Sequence, residues 1–241
     1  MPFNFKQFSI DDKDCAMKIG TDGVLLGAWV SLPEHGHIID IGTGSGLIAL
    51  MTAQRTCDID HPPTITGIEL DDSACRCADA NIAASPWKDR ITIVHADFAE
   101  YACDTPPELI VSNPPFFVNG IHSPDSTRAS ARHCDGTLSP LSLIRYAATH
   151  LAPAGSLAMI TPADLEQDIL FESTMHRMTI TRRCDITTIP GKKVRRILWQ
   201  MQRSDSRQTM PTEHSTLTIK EPDGQFSTRY KALTASFYLD F

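Results

Sequence analysis

The stretch that decides the fold is His37-Ile38-Ile39-Asp40-Ile41-Gly42-Thr43-Gly44-Ser45-Gly46, which is followed by an apolar run over residues 47–54. Its first five residues form a short apolar run of the kind found in a buried parallel strand. The three glycines permit a tight turn, and the residues after them have the composition of a helix. The sequence therefore predicts the first half of a β-α-β unit, with a glycine turn at the carboxyl end of its strand.

Short apolar runs alternate with helical segments along most of the remaining chain. Such alternation is typical of a parallel sheet covered by helices on both faces. The pattern predicts strands at residues 64–69, 90–97, 108–112, 155–161, 179–189 and 194–203, an edge strand at 216–220, and helices at 71–85, 139–151, 162–176 and 229–241. The fold class is therefore α/β, a Rossmann-like, doubly wound and mostly parallel sheet.

Three local patterns complete this prediction. The aromatic spacing Phe3-x-Phe5-x-x-Phe8 indicates a short edge strand or a hairpin. Thr21 or Asp22 precedes an apolar run and can cap the helix that follows, and for Asp22 a ligand contact is an equally good explanation. The turn residues Pro190-Gly191-Lys192-Lys193 predict a hairpin between the two strands on either side.

Length and composition predict a single domain over residues 1–241, made of an extension at 1–36, a catalytic core at 37–203 and a second extension at 204–241. With 41% hydrophobic and 21% charged residues, the chain has ordinary globular composition. It contains no apolar run of the roughly 20 residues that a membrane span needs, and its first residues do not resemble a signal peptide. We therefore expect a cytoplasmic protein that does not bind membranes.

The seven cysteines are scattered along the sequence. The pair Cys75-Arg76-Cys77 is too closely spaced for the usual zinc pattern, so we expect no metal site. Scattered thiols are typical of a reducing compartment.

Positive charge is concentrated in one part of an otherwise acidic chain, whose formal net charge is −7. Residues 176–207 carry nine Lys and Arg side chains and two aspartates. A basic strip of this kind can bind a phosphate backbone locally, whatever the total charge. A solvated, arginine-rich surface remains the alternative interpretation.

The glycine spacing indicates the cofactor. It is G-x-G-x-G rather than the G-x-G-x-x-G of dinucleotide enzymes, and with Asp40 before it this form is associated with S-adenosylmethionine. Glu69 lies 23 residues beyond Gly46 and can accept both ribose hydroxyls. Asp97 ends the third strand and can bind the adenine amino group, with Phe98 beside the ring; a turn-initiating aspartate is the alternative.

The fourth strand ends in Ser112-Asn113-Pro114-Pro115-Phe116-Phe117. The prolines fix φ and remove backbone donors, so the strand stops here. The side-chain carbonyl of Asn113 and the backbone carbonyl of Pro114 are two acceptors for one exocyclic amine, and Phe116 can stack on the ring that carries it. Holding both amine protons turns the nitrogen lone pair toward an incoming methyl group, so that positioning supplies the rate without a strong general base.

These residues together resemble the class I S-adenosylmethionine-dependent N-methyltransferases. Within that class the chain looks like the tRNA1(Val) (adenine-37-N6)-methyltransferase family, because of two further motifs: the run from Met17-Lys18-Ile19-Gly20-Thr21-Asp22-Gly23 to Trp29, and Arg128-x-x-Ala131-Arg132-His133. The resemblance covers nearly the whole chain and is weakest after Thr209. The N-terminal motif is its specific part, since many N-methyltransferases share Asn-Pro-Pro-Phe.

The resemblance implies a seven-stranded sheet whose last strand is antiparallel, and the anticodon loop of a valine tRNA as partner of a monomer. It implies that Lys18, Thr21 and Asp22 lie beside the methionine end of the cofactor, and that Arg128, Arg132 and His133 lie on a loop over the substrate. The expected catalytic residues are Asn113, Pro114 and Phe116. The expected cofactor contacts are Lys18, Thr21, Asp22, Asp40, Gly42, Gly44, Gly46, Glu69, Leu70, Asp97, Phe98 and Asn113. The expected substrate contacts are Pro115, Phe117, Arg128, Arg132, His133, Lys192, Lys193, Arg195 and Arg196.

Other functions share parts of this pattern. Protein glutamine methyltransferases of the same fold carry a helical domain before the glycine strand, and the 36 residues before His37 are too few for one. Methylation of guanine N2, or of adenine in DNA or ribosomal RNA, uses the same Asn-Pro-Pro-Phe motif and stays open. A cofactor-holding scaffold without activity has no need of that motif, and the glycine spacing disfavours an oxidoreductase.

Overall fold

The computed structural model describes residues 2–13, 15, 18–115, 138–204 and 211–240. Within them a central sheet is covered by helices on both faces. Its strands are β3 (His37–Ile41), β4 (Thr64–Glu69), β5 (Ile91–His95), β6 (Leu109–Ser112), β7 (Ser156–Pro162), β8 (Met178–Thr187), β9 (Arg196–Arg203) and β10 (Glu213–Thr218). The helices are α1 (Thr21–Trp29), α2 (Leu47–Arg55), α3 (Asp72–Ala83), α4 (Pro140–His150), α5 (Glu166–Met175) and α6 (Thr228–Thr234). A separate hairpin pairs β1 (Phe3–Asn4) with β2 (Ser9–Ile10).

The strand order in the sheet is β10-β8-β9-β7-β6-β3-β4-β5. All pairs are parallel except those of β9, which runs antiparallel to both β7 and β8. The α/β class is confirmed, and so is the antiparallel strand. In the described residues the sheet has eight strands rather than seven, because β10 adds to the edge beside β8. The order reverses between β6 and β4 around β3, which is where ligands bind in sheets of this kind.

The helix starts show why these segments fold as they do. The Asp71 side chain caps α3 by accepting a 2.8 Å hydrogen bond from the Ala74 amide. Ser139 caps α4 in the same way, and Pro140 occupies the first helical position, where its missing amide costs nothing. The prediction that Thr21 or Asp22 caps α1 was wrong. The cap residue is Gly20, which has no side chain to bond the free amides, and both predicted residues lie inside the first turn.

Two hydrophobic clusters occupy the two faces of the sheet. One contains residues of α1, α2 and α3, together with Phe5, Phe8 and Phe237 near the two ends of the described chain. The other lies under α4 and α5 and includes Trp199, which is fully buried and donates its indole hydrogen to Thr161. Both faces of the sheet are therefore buried, and functional groups must lie at its edges or ends.

Several predicted boundaries differ from the observed ones. The helix expected at 162–176 begins as a short 3-10 turn, Ala163–Leu165, and becomes α-helical at Glu166. The last helix is shorter than the expected 229–241. No helix in the described ranges combines the length and apolar character needed to cross a bilayer.

Candidate active site

The glycine turn after β3 is built from backbone that other residues rarely adopt. Gly42, Gly44 and Gly46 have φ angles of +67°, +57° and +81°, in the left-handed region that favours glycine. The amides of Gly42 and Thr43 both donate to the carbonyl of Ile68, at 2.8 and 3.1 Å. The turn is thus fastened to the end of β4, and its remaining backbone faces a cleft.

Glu69 holds the turn from the neighbouring strand end. One carboxylate oxygen accepts a 2.9 Å hydrogen bond from the Gly44 amide. The other accepts from the amides of Leu70 and Asp71, at 2.9 and 3.0 Å. Because both oxygens are held by backbone, the carboxylate has a fixed position at the mouth of the cleft, where its remaining lone pairs can accept hydroxyl groups.

Asp40 lies behind the turn and is 1% exposed. One of its oxygens accepts from the Thr43 hydroxyl at 2.7 Å and from the Ala49 amide at 3.1 Å. The other oxygen is buried and has no hydrogen-bond partner among the described residues. Burial raises the pKa of Asp40 to about 7, opposed by these two hydrogen bonds and assisted by the nearby charge of Glu69. Asp40 therefore connects the turn to the start of α2.

The Asn113 corner is tied to the glycine turn through the preceding residue. The buried hydroxyl of Ser112 donates to the carbonyl of Ile41 at 2.7 Å. This bond joins the last residue of β6 to the last residue of β3. Pro114 after the corner is buried and Pro115 is exposed. Phe116 and Phe117, the aromatic part of the prediction, lie outside the described residues.

One cleft brings most of the predicted cofactor residues together. Its volume is about 480 Å³, within the range of small-molecule sites. The lining residues include Lys18, Gly42, Gly44, Glu69, Leu70, Asp97, Phe98, Asn113 and Pro115. The Asp97 carboxylate accepts from the Ala99 amide at 2.9 Å, and the Phe98 ring packs edge-on against Tyr146. Both contacts hold the segment that follows β5 in place at the cleft.

The N-terminal motif is distributed more widely. Lys18 lines the cleft, but its ammonium group donates to the carbonyls of Asp12 and Lys13, at 2.6 and 2.8 Å. Thr21 is exposed at the start of α1. Asp22 accepts a 2.7 Å hydrogen bond from the Arg196 guanidinium. This contact pairs a predicted cofactor residue with a predicted substrate residue.

Six side chains of the basic strip fall into two groups. Arg182, Arg183 and Arg196 lie on strands and form ion pairs with Glu213, with Glu166 and Asp185, and with Asp22. Lys192, Lys193 and Arg195 are exposed on the turn between β8 and β9 and surround a shallow depression with Thr188 and Ile189. We refer to Lys192, Lys193 and Arg195 as the basic turn. Arg128, Arg132 and His133 lie outside the described residues.

The basic turn lies at the same edge of the sheet as the cleft. Arg196, the first residue of β9, pairs with Pro162, the last residue of β7. The carboxyl end of β7 is on the same edge as those of β3 and β6, because these strands are parallel. Strand pairing therefore places this positive charge at the same end of the sheet as the Asn113 corner, with β7 between β9 and β6.

Sequence reasoning missed three residues that shape this edge. Ser112 makes the bond to Ile41 described above. Asn81 is 6% exposed on α3 and donates to the carbonyls of Asp11 and Ser45, at 3.1 and 3.0 Å. Its position between apolar neighbours in a helix was the available signal, since a buried amide must find partners. The Lys220 amide donates to the carbonyl of Thr188, which lines the depression beside the basic turn.

Among the described residues, no group of three or more His, Cys, Asp or Glu side chains is arranged to hold a metal ion.

Comparison with known families identifies the relatives of this chain. A family model described as methyltransferase small domain matches residues 15–185. A tRNA1(Val) (adenine(37)-N6)-methyltransferase from Porphyromonas gingivalis W83 is 42% identical, with 98% of this chain and 94% of the relative covered. One from Aeromonas hydrophila is 41% identical, over 98% and 97% of the two chains. One from Bacteroides thetaiotaomicron is 38% identical, over 98% and 97%.

Solved structures support the fold. A predicted O-methyltransferase from Agrobacterium tumefaciens superimposes with a TM-score of 0.66 at 18% identity, covering 90% of this chain and 96% of that one. A ribosomal protein L11 methylase from Lactobacillus delbrueckii gives a TM-score of 0.52 at 17% identity, over 76% and 77%. At this identity the similarity concerns architecture alone. The relatives found by sequence share one name and are covered over nearly their whole length. The chain belongs to the tRNA1(Val) (adenine(37)-N6)-methyltransferase family.

Proposed function

We propose that the protein transfers a methyl group from S-adenosylmethionine to the exocyclic N6 of adenosine 37 in a valine tRNA. The observation that carries this proposal is the bond between Ser112 and Ile41, which joins the Asn113 corner to the glycine turn beside one cleft that both line. A cofactor site and an acceptor for an amine are thereby held at adjacent strand ends. The activity for which the relatives are named supplies the substrate.

The cleft suits a nucleoside cofactor with an amino acid tail. An added Cβ at Gly44 would meet no atom within 4 Å, so the backbone there leaves open space for a ligand. The fixed Glu69 carboxylate suits a ribose diol, and Asp97 with Phe98 suits an adenine ring. Bound S-adenosylmethionine would supply an electrophilic methyl group on a sulfonium. We assign its binding to Gly42, Gly44, Gly46, Glu69, Leu70, Asp97 and Phe98.

The chain itself supplies positioning. The Asn113 side-chain carbonyl and the Pro114 backbone carbonyl accept the two amine hydrogens, and the nitrogen lone pair then faces the cleft. Proline has no amide hydrogen to compete for that carbonyl. An adenine amine is a weak nucleophile because its lone pair is delocalised, so orientation of the two reactants accounts for the rate. We assign ring stacking to Phe116, and the surrounding substrate contacts to Pro115 and Phe117.

We assign tRNA binding to the basic turn. Its three side chains are exposed at the edge of the sheet that carries the cleft, where they can neutralise phosphates near the target base. Arg128, Arg132 and His133 are proposed to contact the same RNA. Arg196 contributes differently, by holding Asp22 at the start of α1. The protein is proposed to act as a monomer in the cytoplasm.

The decisive experiment supplies labelled S-adenosylmethionine and two valine tRNA transcripts, one with adenosine and one with guanosine at position 37. The products are digested to nucleosides and separated. N6-methyladenosine from the first transcript, with no label in the second, is the expected result. Methylguanosine, label at another adenosine, or label in the protein contradicts the assignment.

A further inference from the structure

One thiol pair lies at the wall of the cofactor cleft. The sulfur atoms of Cys15 and Cys77 are 2.8 Å apart, closer than two unbonded sulfurs ordinarily approach. All six cysteines in the described part of the chain are free thiols. A disulfide has a sulfur separation of about 2.05 Å, so a shift of under about 1 Å would complete the bond.

The two cysteines connect different parts of the site. Cys15 is 4% exposed and lines the cleft together with Ile19 and Gly20. Cys77 lies on α3, the helix that also supplies Ala74 to the cleft wall. A covalent bond between them would join residues 62 positions apart and would tie Cys15, which lines the cleft, to α3.

Hydrogen bonds around the pair hold the two sulfurs together. The Cys77 thiol donates to the carbonyl of Asp11 at 2.9 Å. Asn81, one turn further along α3, donates to the same carbonyl and accepts from the Asp11 amide at 2.9 Å. The N-terminal segment is therefore fastened to α3 before any covalent bond forms, so that oxidation needs little rearrangement.

We propose that Cys15 and Cys77 form a reversible disulfide, made by peroxide, which fixes the wall of the cofactor cleft and slows exchange of the cofactor. The cysteine pair would thus be a modification site for thiol oxidants. Its effect on cofactor exchange rests on the proposed function. Intracellular disulfides in most organisms are transient and redox-sensing, which suits a pair beside a binding site.

The chemistry balances with hydrogen peroxide as the oxidant. Cys77 is the more exposed sulfur, and its thiolate attacks one peroxide oxygen to give a sulfenic acid and the first water. The Cys15 sulfur then attacks the sulfenic sulfur, and the second water leaves. The two thiols lose two hydrogens and two electrons, and the peroxide is reduced to two waters. A dithiol reductant reverses the step by exchange.

The protonation of Cys15 agrees with this order of reaction. Burial, with the adjacent Cys77, raises the pKa of Cys15 to about 12. The Cys15 thiol keeps its hydrogen and donates it toward Cys77. Cys15 is therefore the less reactive thiol toward the oxidant, and its hydrogen must leave with the hydroxyl of the sulfenic acid, as water, when its sulfur attacks.

The test treats the full-length protein with peroxide, alkylates remaining thiols and maps the peptides by mass. Its second measurement is the release of labelled S-adenosylmethionine in the absence of RNA. We expect a peptide joining Cys15 to Cys77 and release slowed by about tenfold, with both effects reversed by dithiothreitol. The mapping needs no cofactor, so a failure of the proposed cofactor would show as absent binding before oxidation.

Variants make the result specific. With or without peroxide, Cys77→Ser should release cofactor as fast as the unaltered protein does before oxidation. Cys77→Ala should do the same, which excludes an effect of the serine hydroxyl. Cys57→Ser removes an exposed thiol outside the cleft and should respond like the unaltered protein. The proposal is overturned if no Cys15–Cys77 peptide forms, if release is unchanged when it does form, or if Cys77→Ser still responds to peroxide.

Discussion

Two turns at the same end of the sheet contain glycine in the left-handed conformation, but they suit different ligands. The turn after β3 has three such glycines, and backbone bonds from β4 and the carboxylate of Glu69 hold it. The turn between β8 and β9 has one, Gly191 with a φ of +76°, and presents exposed lysine and arginine. The first is a rigid surface suited to one small molecule. The second is a charged surface that can adapt to a large polyanion, so the two ligands are bound by different physical means.

The largest effect is expected at Asn113, which follows β6 and lines the same cleft as the glycine turn. Asn113→Ala removes one acceptor for the amine, and loss of a single preorganised contact typically costs about 100-fold to 1,000-fold in rate. Affinity for S-adenosylmethionine should change by less than about threefold, because Glu69 and the glycine turn remain. Single-turnover methylation and calorimetric cofactor titration measure the two quantities. Equal loss of both would mean that Asn113 belongs to the cofactor side.

The second prediction substitutes the same residue in both turns. Gly44→Ala and Gly191→Ala each place a side chain at positive φ in open space, so both carry about 1–2 kcal/mol of backbone strain. If the turn of the Gly44→Ala variant relaxes when no cofactor is bound, binding must return it to the strained conformation and so costs affinity. Gly44→Ala should therefore weaken cofactor binding by about tenfold and leave tRNA affinity unchanged.

Gly191→Ala is the matched control with the opposite signature. It should weaken tRNA binding and leave the cofactor titration unchanged. Filter binding measures tRNA affinity and calorimetry measures cofactor affinity, and both are applied to both variants. If both substitutions lower cofactor affinity equally, they act through the stability of the protein, and the two turns are not specialised for different ligands.

The third prediction concerns charge alone. Lys192→Ala, Lys193→Ala and Arg195→Ala should each weaken tRNA binding, and each should reduce the slope of log affinity against log salt by about 0.7–0.9. Lys88→Ala is the control, because Lys88 is also exposed but precedes β5 at the opposite end of the parallel strands. A slope that changes as much for Lys88 as for the basic turn would mean that total charge, rather than this surface, governs affinity.

The smallest effect on activity, and the clearest one on stability, is expected at Asp40. Burial raises its pKa to about 7, whereas an unfolded aspartate titrates at about 3.9. The favourable contribution of the protonated carboxyl is complete below about pH 4 and is lost as the pH rises through about 7. Relative to Asp40→Asn, the unaltered protein should lose on the order of 2 kcal/mol of unfolding free energy between about pH 5 and 8.

Urea unfolding at several pH values measures that difference. The asparagine side chain of the Asp40→Asn variant keeps an acceptor for Thr43 and Ala49, so the comparison isolates the charge. Parallel pH profiles for the two proteins would show that Asp40 is already ionised in the folded state at low pH.

The sequence predicted most of the sheet because the evidence for each strand is local. A short apolar run ending in glycine or proline identifies β3 and β6 without knowledge of their neighbours. The cleft followed from the same rule, since parallel strand ends lie at one edge. Glu69, Asp97 and Asn113 could thus be grouped from the sequence alone.

The errors arose where a side chain has a distant partner. Asp22 could be read as a helix cap because nothing in its own segment reveals Arg196, 174 residues away. For the same reason the basic strip could not be divided by counting charges. Arg182 and Arg183 are on strands beside acids, whereas the basic turn is exposed, and only the pairing of β8 with β9 and β10 separates them.

The bond from Ser112 to Ile41 has a consequence for how such a protein can diversify. It belongs to the paired strands β3 and β6, whose register aligns Ile38 with Leu109 and Asp40 with Val111. The span from methyl donor to acceptor is therefore a property of the sheet, and the loops that meet the nucleic acid are not needed to maintain it. An exchange of the β8–β9 turn could present a different RNA to the same reacting atoms. Substrate choice and reaction geometry are in this sense separable traits, each open to change without loss of the other.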